Sequence, residues 1–284
     1  MTTIAENLIT AADILAESGV PEARREAASL LAMALERDRA FLRAHPEYSL
    51  GQIELDRFLS YVRRRSDREP LQYIRGNQEF YGLDFEISPD VLIPRPETEI
   101  IVEIALKFLA SSDRPTFCEV GIGSGCITVS ILHNLPVAAS VGLDISKEAL
   151  EISRKNAITH GVDGRLDLRH SDIYSAVRDE RFDLIVSNPP YVPARDLDSL
   201  QVEVREFEPH LALFGGSDGL SIIRSIAIDA PRFLRPDGKL LMEIGFDQAN
   251  AVSELFSVDH WAAVEIVPDL QGVPRTVVAN VKTR

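Results

Sequence analysis

Cysteine is scarce: the 284 residues contain two, Cys118 and Cys126. Two are too few for a disulfide framework, and neither lies at metal-ligand spacing from a histidine. The six histidines are scattered, with no His-Glu-x-x-His pattern, so no metal is expected. The cysteines flank a glycine-rich segment and read as small buried hydrophobes. Long apolar runs are also missing. The best candidate, residues 100–109, is broken by Glu103 and Lys107, which excludes a bilayer-spanning helix there. The start, Met1-Thr2-Thr3-Ile4-Ala5-Glu6, has neither the basic stretch nor the apolar core of a secretion signal, so a cytoplasmic protein is expected. Positive charge is outnumbered, with 30 Lys+Arg against 44 Asp+Glu and a net charge of −14. Residues 1–80 carry 11 Lys+Arg against 13 Asp+Glu, so nearly all of the acidic excess lies beyond them. An acidic body is a poor platform for duplex DNA, whose binding rests largely on phosphate neutralisation. Neither a nucleic-acid partner nor a membrane is expected.

What is present falls into three stretches. Residues 4–73 read as helices only. Ile4, Leu8, Ala11, Ala12 and Leu15 repeat at helical spacing, as do Ala27, Leu30, Leu31, Ala34 and Leu35. Ile53, Leu55, Phe58, Leu59 and Val62 suggest a further helix, with breaks at Gly19-Val20-Pro21 and His45-Pro46. This is a small helical bundle, assigned to residues 1–75. Gln78 to Ile93 is rich in aromatic and β-branched residues around Gly82 and reads as a β-hairpin, making residues 76–95 a linker. Pro96 suits the first position of a helix, with Glu97 and Glu99 in its first turn. From about residue 115 strands and helices alternate: strands at 116–120, 139–144, 165–170, 182–187, 239–244, 262–267 and 276–281, and helices at 126–134, 147–160 and 217–230. That alternation predicts an α/β domain over 96–284, with a parallel sheet covered by helices on both faces.

The chemistry sits at strand ends. Glu119-Val120-Gly121-Ile122-Gly123-Ser124-Gly125 follows a strand and opens a helix. Glycines there let the backbone turn tightly and let a ligand come close. Asp144 ends the next strand, where an acid can accept ribose hydroxyls. A dinucleotide site would carry its third glycine at position 126, which is Cys126; the glycine comes one residue early, at Gly125. The Gly-x-Gly-x-Gly form instead resembles the motif of class I (Rossmann-like) methyltransferases. In that setting the Glu119 carboxylate suits the amino group of a methionine-derived sulfonium. At the end of the third strand, Asp172 can bond an adenine amino group and Ile173 can pack on the ring. Ser187-Asn188-Pro189-Pro190-Tyr191 ends the fourth strand. The two prolines fix φ, and Pro189 holds Asn188 extended. The Asn188 side-chain oxygen and the Pro189 carbonyl can then accept both hydrogens of a planar NH2 group, with Tyr191 stacking on the plane. Orientation and electrostatics carry such a transfer, so no histidine base is needed.

Pro70-Leu71-Gln72-Tyr73-Ile74-Arg75-Gly76, Glu79-Phe80-Tyr81-Gly82-Leu83 and Leu92-Ile93-Pro94-Arg95-Pro96-Glu97-Thr98-Glu99 resemble the HemK/PrmC family. So do Asn188-Pro189-Pro190-Tyr191, Glu208-Pro209, residues 212–220 and Glu243-Ile244-Gly245, and the likeness runs from about residue 70 to the end. The resemblance implies S-adenosylmethionine as cofactor, held by Gly121, Ile122, Gly123, Ser124, Gly125, Asp144, Asp172, Ile173 and Asn188. It implies the glutamine of the Gly-Gly-Gln motif of bacterial class 1 peptide chain release factors as acceptor, held by Asn188, Pro189, Pro190 and Tyr191. The product would be N5-methylglutamine, and the Arg95-Pro96-Glu97-Thr98 loop would lie beside the methionine end. The family more often has Asp at 119, Thr at 122 and an aromatic at 173. The helical domain would read the release factor body, while Arg63, Arg64, Arg65 and Arg68 are expected to form a solvated helix face. Two rivals share the loop chemistry: a glutamine methyltransferase of a ribosomal protein, and a DNA adenine-N6 methyltransferase. The second would need a base-flipping and phosphate-binding surface that the sequence does not carry.

Overall fold

The protein is described from a computed structural model over residues 2–256 and 259–282. Its chain divides into two compact units, Met1–Gly76 with Gln201–Phe207, and Asn77–Leu200 with Glu208–Arg284.

The first unit opens with α1 (Ile4–Glu17), α2 (Ala23–Leu35), α3 (Arg39–Ala44), α4 (Gln52–Ser66) and α5 (Leu71–Arg75). A capping box starts α1: Thr3 Oγ1 accepts the Glu6 N–H at 3.3 Å and the Glu6 carboxylate accepts the Thr3 N–H at 2.8 Å. Ser18 ends the helix and Gly19, at φ 72°, turns the chain. Ile4, Leu15, Leu30, Leu31 and Phe58 make the centre of this unit's core. On α4 the inward stripe is Leu55, Phe58 and Val62; Ile53 and Leu59, which share the helical pattern, are exposed.

The second unit begins with β1 (Asn77–Phe80) and β2 (Leu83–Glu86), an antiparallel hairpin turning through Tyr81 and Gly82. The hairpin is shorter than expected. Residues 87–95 form no strand, and Pro89 and Pro94 there cannot donate to a ladder. After a 3-10 turn at Pro96–Thr98 come α6 (Glu99–Leu109), β3 (Thr116–Val120), α7 (Cys126–Asn134), β4 (Ala139–Asp144), α8 (Lys147–Thr159), β5 (Leu166–His170) and β6 (Phe182–Ser187). A 3-10 turn at Ala194–Ser199 leads to α9 (Val202–Phe207), followed by α10 (His210–Leu213), α11 (Ser221–Phe233), β7 (Leu234–Glu243), α12 (Ala249–Ser253), β8 (Trp261–Pro268) and β9 (Pro274–Val281). Helix α11 starts four residues later than its pattern suggested, because Gly219 takes φ 76° just before it.

The large sheet has the order β5-β4-β3-β6-β7-β9-β8. Its first five strands are parallel, and β9 runs antiparallel to both β7 and β8. The expected all-parallel sheet is therefore mixed. The connection from β8 to β9 is a tight turn, with Asp269 N–H donating to the Val273 carbonyl at 2.8 Å, and so short a link permits only antiparallel pairing. Neighbouring residues of β3 fall in different apolar clusters, Phe117 with helices α6 and α7 and Cys118 with α11, so both faces of the sheet are buried.

Helix α9 belongs to the first unit, although the sequence pattern assigned its residues to the α/β domain. Its Glu203 accepts from Arg65 Nη2 at 2.9 Å and from Arg68 Nη2 at 2.6 Å, while Arg65 also bonds Glu26. Arg65 is only 3% exposed, which corrects the solvated-face expectation for this arginine run; of the four, Arg63 is the exposed one. The reason is spacing, since Arg65 continues the Phe58–Val62 stripe of α4 and so points inward. Burial raises the Glu203 carboxyl, but the hydrogen bonds from Arg68 and Arg65 overcome it and hold the group down at about 2.

Candidate active site

The parallel strands end along one edge of the sheet. Chain order turns back between β3 and β6, and ligands of open α/β sheets sit outside the carboxyl ends of the strands at such a reversal. A cavity opens there, within the second unit, lined by the carboxyl-terminal residues of β3 and β4 and by Asn188, which follows β6.

The loop after β3 forms the first wall. Gly121 N–H and Ile122 N–H both donate to the Leu143 carbonyl, at 2.8 and 2.9 Å, which ties the loop to β4. Gly121 and Gly123 have positive φ, and a Cβ at either would meet nothing within 4 Å, so that side of the backbone is open to a ligand. Gly125 is different: its Cβ would approach Ser153 Oγ at 3.2 Å, so this glycine serves the packing of α7 on α8. Asp144 Oδ2 accepts the Gly123 N–H at 2.9 Å, and Oδ1 accepts the Ser146 N–H at 2.9 Å. The capping of α8 falls to Ser146, whose Oγ accepts the Ala149 N–H at 3.1 Å. Burial raises the Asp144 carboxyl against those backbone bonds.

Glu119 is 1% exposed and lines the same cavity. One of its oxygens takes the Thr128 N–H at 3.0 Å and the Thr128 hydroxyl. Burial pushes its pKa up to about 8, the Thr128 bonds opposing and the Asp144 charge reinforcing the rise. Among the described residues it has no cationic partner, so a ligand ammonium would supply the charge that favours its ionised form. Burial likewise raises both thiols, Cys126 to about 12, so neither is a reactive thiolate at neutral pH. Asp172 stands exposed at the rim and Ile173, at φ 47°, lines the wall beside it.

The second wall is the loop after β6. Ser187 Oγ donates to the Val120 carbonyl at 2.7 Å and clamps the ends of β6 and β3 together. Asn188 and Pro190 line the cavity, with Pro189 between them in the chain; Gly125 and Tyr191 are not among its lining residues. The half-buried Tyr191 ring packs on the core, and its hydroxyl donates to Glu243 at 3.3 Å, which ties down this end of the loop. Gln248 Nε2 donates to the carbonyls of Tyr191 at 3.0 Å and Gly219 at 3.2 Å. Across this turn the Val192 N–H donates to the Leu213 carbonyl and the Gly215 N–H donates to the Val192 carbonyl, each at 2.9 Å. A Cβ at Gly215 would meet the carbonyl oxygens of Pro190 and Gly219, each at 2.7 Å, so this close approach of backbones requires glycine.

Glu208 and Glu243 carried no role in the sequence reading, and Thr98 none beyond its place in the loop expected beside the methionine end. Thr98 lines the cavity and accepts from Asn188 Nδ2 at 3.2 Å, and Glu243 ends β7 behind it. The buried Glu208 takes the Ile93 N–H at 3.1 Å and the Arg95 guanidinium, holding the segment that leads to Thr98. Arg95 and Thr98 of the Arg95-Pro96-Glu97-Thr98 loop both reach the cavity. Leu211 and Phe214, both exposed, form an apolar lip. The one local signal was an acid at or next to the end of an apolar strand, shared by Glu119, Asp144 and Glu243.

A glycine-rich turn, an acid on the next strand and an Asn-Pro-Pro-Tyr loop on one cavity of this sheet define a class I methyltransferase fold. The hMettl16 catalytic domain in complex with the MAT2A 3′UTR hairpin 6 aligns with TM-score 0.56 at 14% identity, over 81% of each chain. A methyltransferase of Pyrococcus furiosus aligns with TM-score 0.52 at 20% identity, over 72% of this chain and 91% of its own. The profile described as PrmC N-terminal domain matches residues 6–76, and that described as methyltransferase small domain matches residues 100–205. The release factor glutamine methyltransferase of Geobacter sulfurreducens is 45% identical over 93% of this chain and 91% of its own length. That of Koribacter versatilis is 43% identical over 95% of each. The chain belongs to the release factor glutamine methyltransferase family.

Proposed function

We propose that this protein transfers a methyl group from S-adenosylmethionine to the side-chain amide nitrogen of a glutamine, the one in the Gly-Gly-Gln motif of bacterial class 1 release factors. The observation that carries the reading is the position of Asn188, on the wall of the cavity that Gly121, Ile122, Gly123, Ser124 and Asp144 also line. When bound, S-adenosylmethionine supplies an electrophilic methyl on its sulfonium. Gly121 and Gly123 leave backbone space for its methionine portion, Glu119 provides a carboxylate for its ammonium, and Asp144 one for its ribose hydroxyls. Asp172 and Ile173 suit the adenine.

An amide nitrogen is a weak nucleophile because its lone pair is delocalised into the carbonyl. The Asn188 oxygen and the Pro189 carbonyl, accepting its two hydrogens, turn that lone pair toward the methyl and raise its local density. Pro189 and Pro190 stiffen the loop, and Tyr191 holds it from behind through Glu243. Such preorganised placement lowers the barrier without a dedicated base. The apolar lip of Leu211 and Phe214 suits the approach of a glycine-rich peptide, and the helical unit is the candidate reader of the release factor body.

The test is mass spectrometry of the Gly-Gly-Gln peptide from unmodified release factor incubated with the protein and S-adenosylmethionine. One added methyl on the glutamine is expected, and none with Asn188→Ala. An unmodified peptide from an enzyme that still binds the cofactor would overturn the assignment.

A further inference from the structure

Behind Asn188 lies a chain of hydrogen bonds that the family motifs do not assign. Glu243, 2% exposed at the end of β7, accepts the Thr98 hydroxyl through Oε2 at 2.6 Å and the Tyr191 hydroxyl through Oε1 at 3.3 Å. Thr98, also 2% exposed, in turn accepts from Asn188 Nδ2 at 3.2 Å. These residues are brought together from the turn before α6, the end of β6 and the end of β7.

We propose that Glu243 is a positioning residue that sets the polarity of Asn188 through Thr98. The argument is one of donor counting. A threonine hydroxyl has a single hydrogen. A buried carboxylate has only acceptors to offer, and the charge-assisted bond to it claims that hydrogen. Thr98 is left with lone pairs alone on the side facing Asn188, so the Asn188 amide must turn its NH2 toward Thr98. Its carbonyl oxygen then faces the opposite way, toward the cavity. The acceptor group there is an NH2, which brings only donors, so an inverted Asn188 would set donor against donor. Glu243 thereby determines which end of an otherwise reversible amide meets the substrate. Its second oxygen, on Tyr191, anchors the far end of the same loop, so one carboxylate aligns the first and last residues of Asn188-Pro189-Pro190-Tyr191. The inference rests on the reading of Asn188 as the acceptor of substrate N–H groups.

Glu243→Gln is the discriminating change, because an amide has one oxygen for two donors. Either Thr98 or Tyr191 then faces an NH2, and in the first case Thr98 donates to Asn188 and inverts it. Thr98→Val removes the hydroxyl at nearly constant shape and breaks the relay. Turnover with release factor is expected to fall about tenfold or more in Glu243→Gln, the scale of one misdirected buried hydrogen bond. It should fall to a lesser degree in Thr98→Val, where Asn188 is free but not inverted. In the double variant the amide introduced by Glu243→Gln has no relay to reverse, so turnover should equal that of Thr98→Val. A purely structural Glu243 would instead give losses that multiply, and multiplication overturns the proposal.

A second readout needs no turnover. The Asn188 side-chain NH2 resonances, assigned by their absence in Asn188→Ala, should exchange slowly with solvent in the wild type and quickly in Glu243→Gln. Unchanged exchange overturns the relay. If exchange responds as expected but the wild type leaves glutamine unmethylated, the glutamine assignment fails and the relay stands.

Discussion

Alanine at position 219 should abolish most turnover while sparing the cofactor side of the cavity. Gly219 lies at φ 76°, in the left-handed region, where a Cβ costs about 1–2 kcal/mol. The added methyl would run into the Tyr191 carbonyl oxygen, and would come within 2.7 Å of Gln248 Nε2 and 3.2 Å of Pro193 Cδ. Backbone and proline cannot swing aside as a flexible side chain can. The relief is to push the loop outward, which breaks the two Gln248 bonds to Tyr191 and Gly219, each worth about 1 kcal/mol. Together these effects set about 3–4 kcal/mol against the closed loop, or about 100-fold or more in kcat/KM at 1.4 kcal/mol per tenfold. The assay is steady-state methylation of release factor, with S-adenosylhomocysteine affinity measured in parallel by calorimetry. Affinity should change little, because Gly219 does not line the cavity. Gly164→Ala is the control: that position has nothing within 4 Å of its Cβ and no positive φ, so it should be neutral. A Gly219→Ala enzyme within threefold of wild type, on a par with the Gly164→Ala control, would refute the claim that this glycine packs the loop.

Two other consequences concern protons. Glu119, raised to about 8, is largely protonated at pH 7, so binding a ligand ammonium beside it should release a proton. Calorimetry at pH 7 in buffers of different ionisation enthalpy should show this release in the wild type and its loss in Glu119→Gln; equal release in both would exclude Glu119 as the source. In the helical unit, Glu203→Gln leaves Arg65 and Arg68 without their shared carboxylate and should lower stability by about 2 kcal/mol near neutral pH. Glu203 is held at about 2 in the fold, below the ordinary glutamate value of 4.5. Its contribution is therefore full above about 4.5 and lost as pH falls toward 2, so denaturant melts of wild type and variant should converge across that interval. A gap that persists at pH 2 would show that the ion cluster is not its origin.

The helices and strands legible in the sequence are those with strong periodicity and local punctuation. The strands at Thr116–Val120, Ala139–Asp144 and Phe182–Ser187, and the helix at Cys126–Asn134, lie where the pattern puts them. Helices of four or five residues, such as α10 and α12, escape the pattern, because one turn of helix carries too little periodicity to register. Ile53 and Leu59 mislead because they are apolar yet lie off the stripe of α4, and Arg65 misleads because it is charged yet lies on it. Hydrophobicity alone does not say which way a residue points; spacing does. Tyr191 is recognisable as part of the candidate loop, but its hydroxyl bond to Glu243, 52 residues away in the chain, is not legible in the sequence.

Composition and local motifs were enough to indicate an α/β sheet after a helical segment, and to mark Gly121–Gly125, Asp144 and Asn188–Tyr191 as candidate chemical positions. Those features depend on residues within a few places of one another, so they are written in the order of the chain. The antiparallel insertion of β9, the capture of Glu203 by arginines 135 and 138 residues earlier, and the bond from Thr98 to Glu243 across 145 residues came only with folding. Each joins distant segments through burial, where an unpaired charge or hydroxyl is costly and a partner must be found in three dimensions.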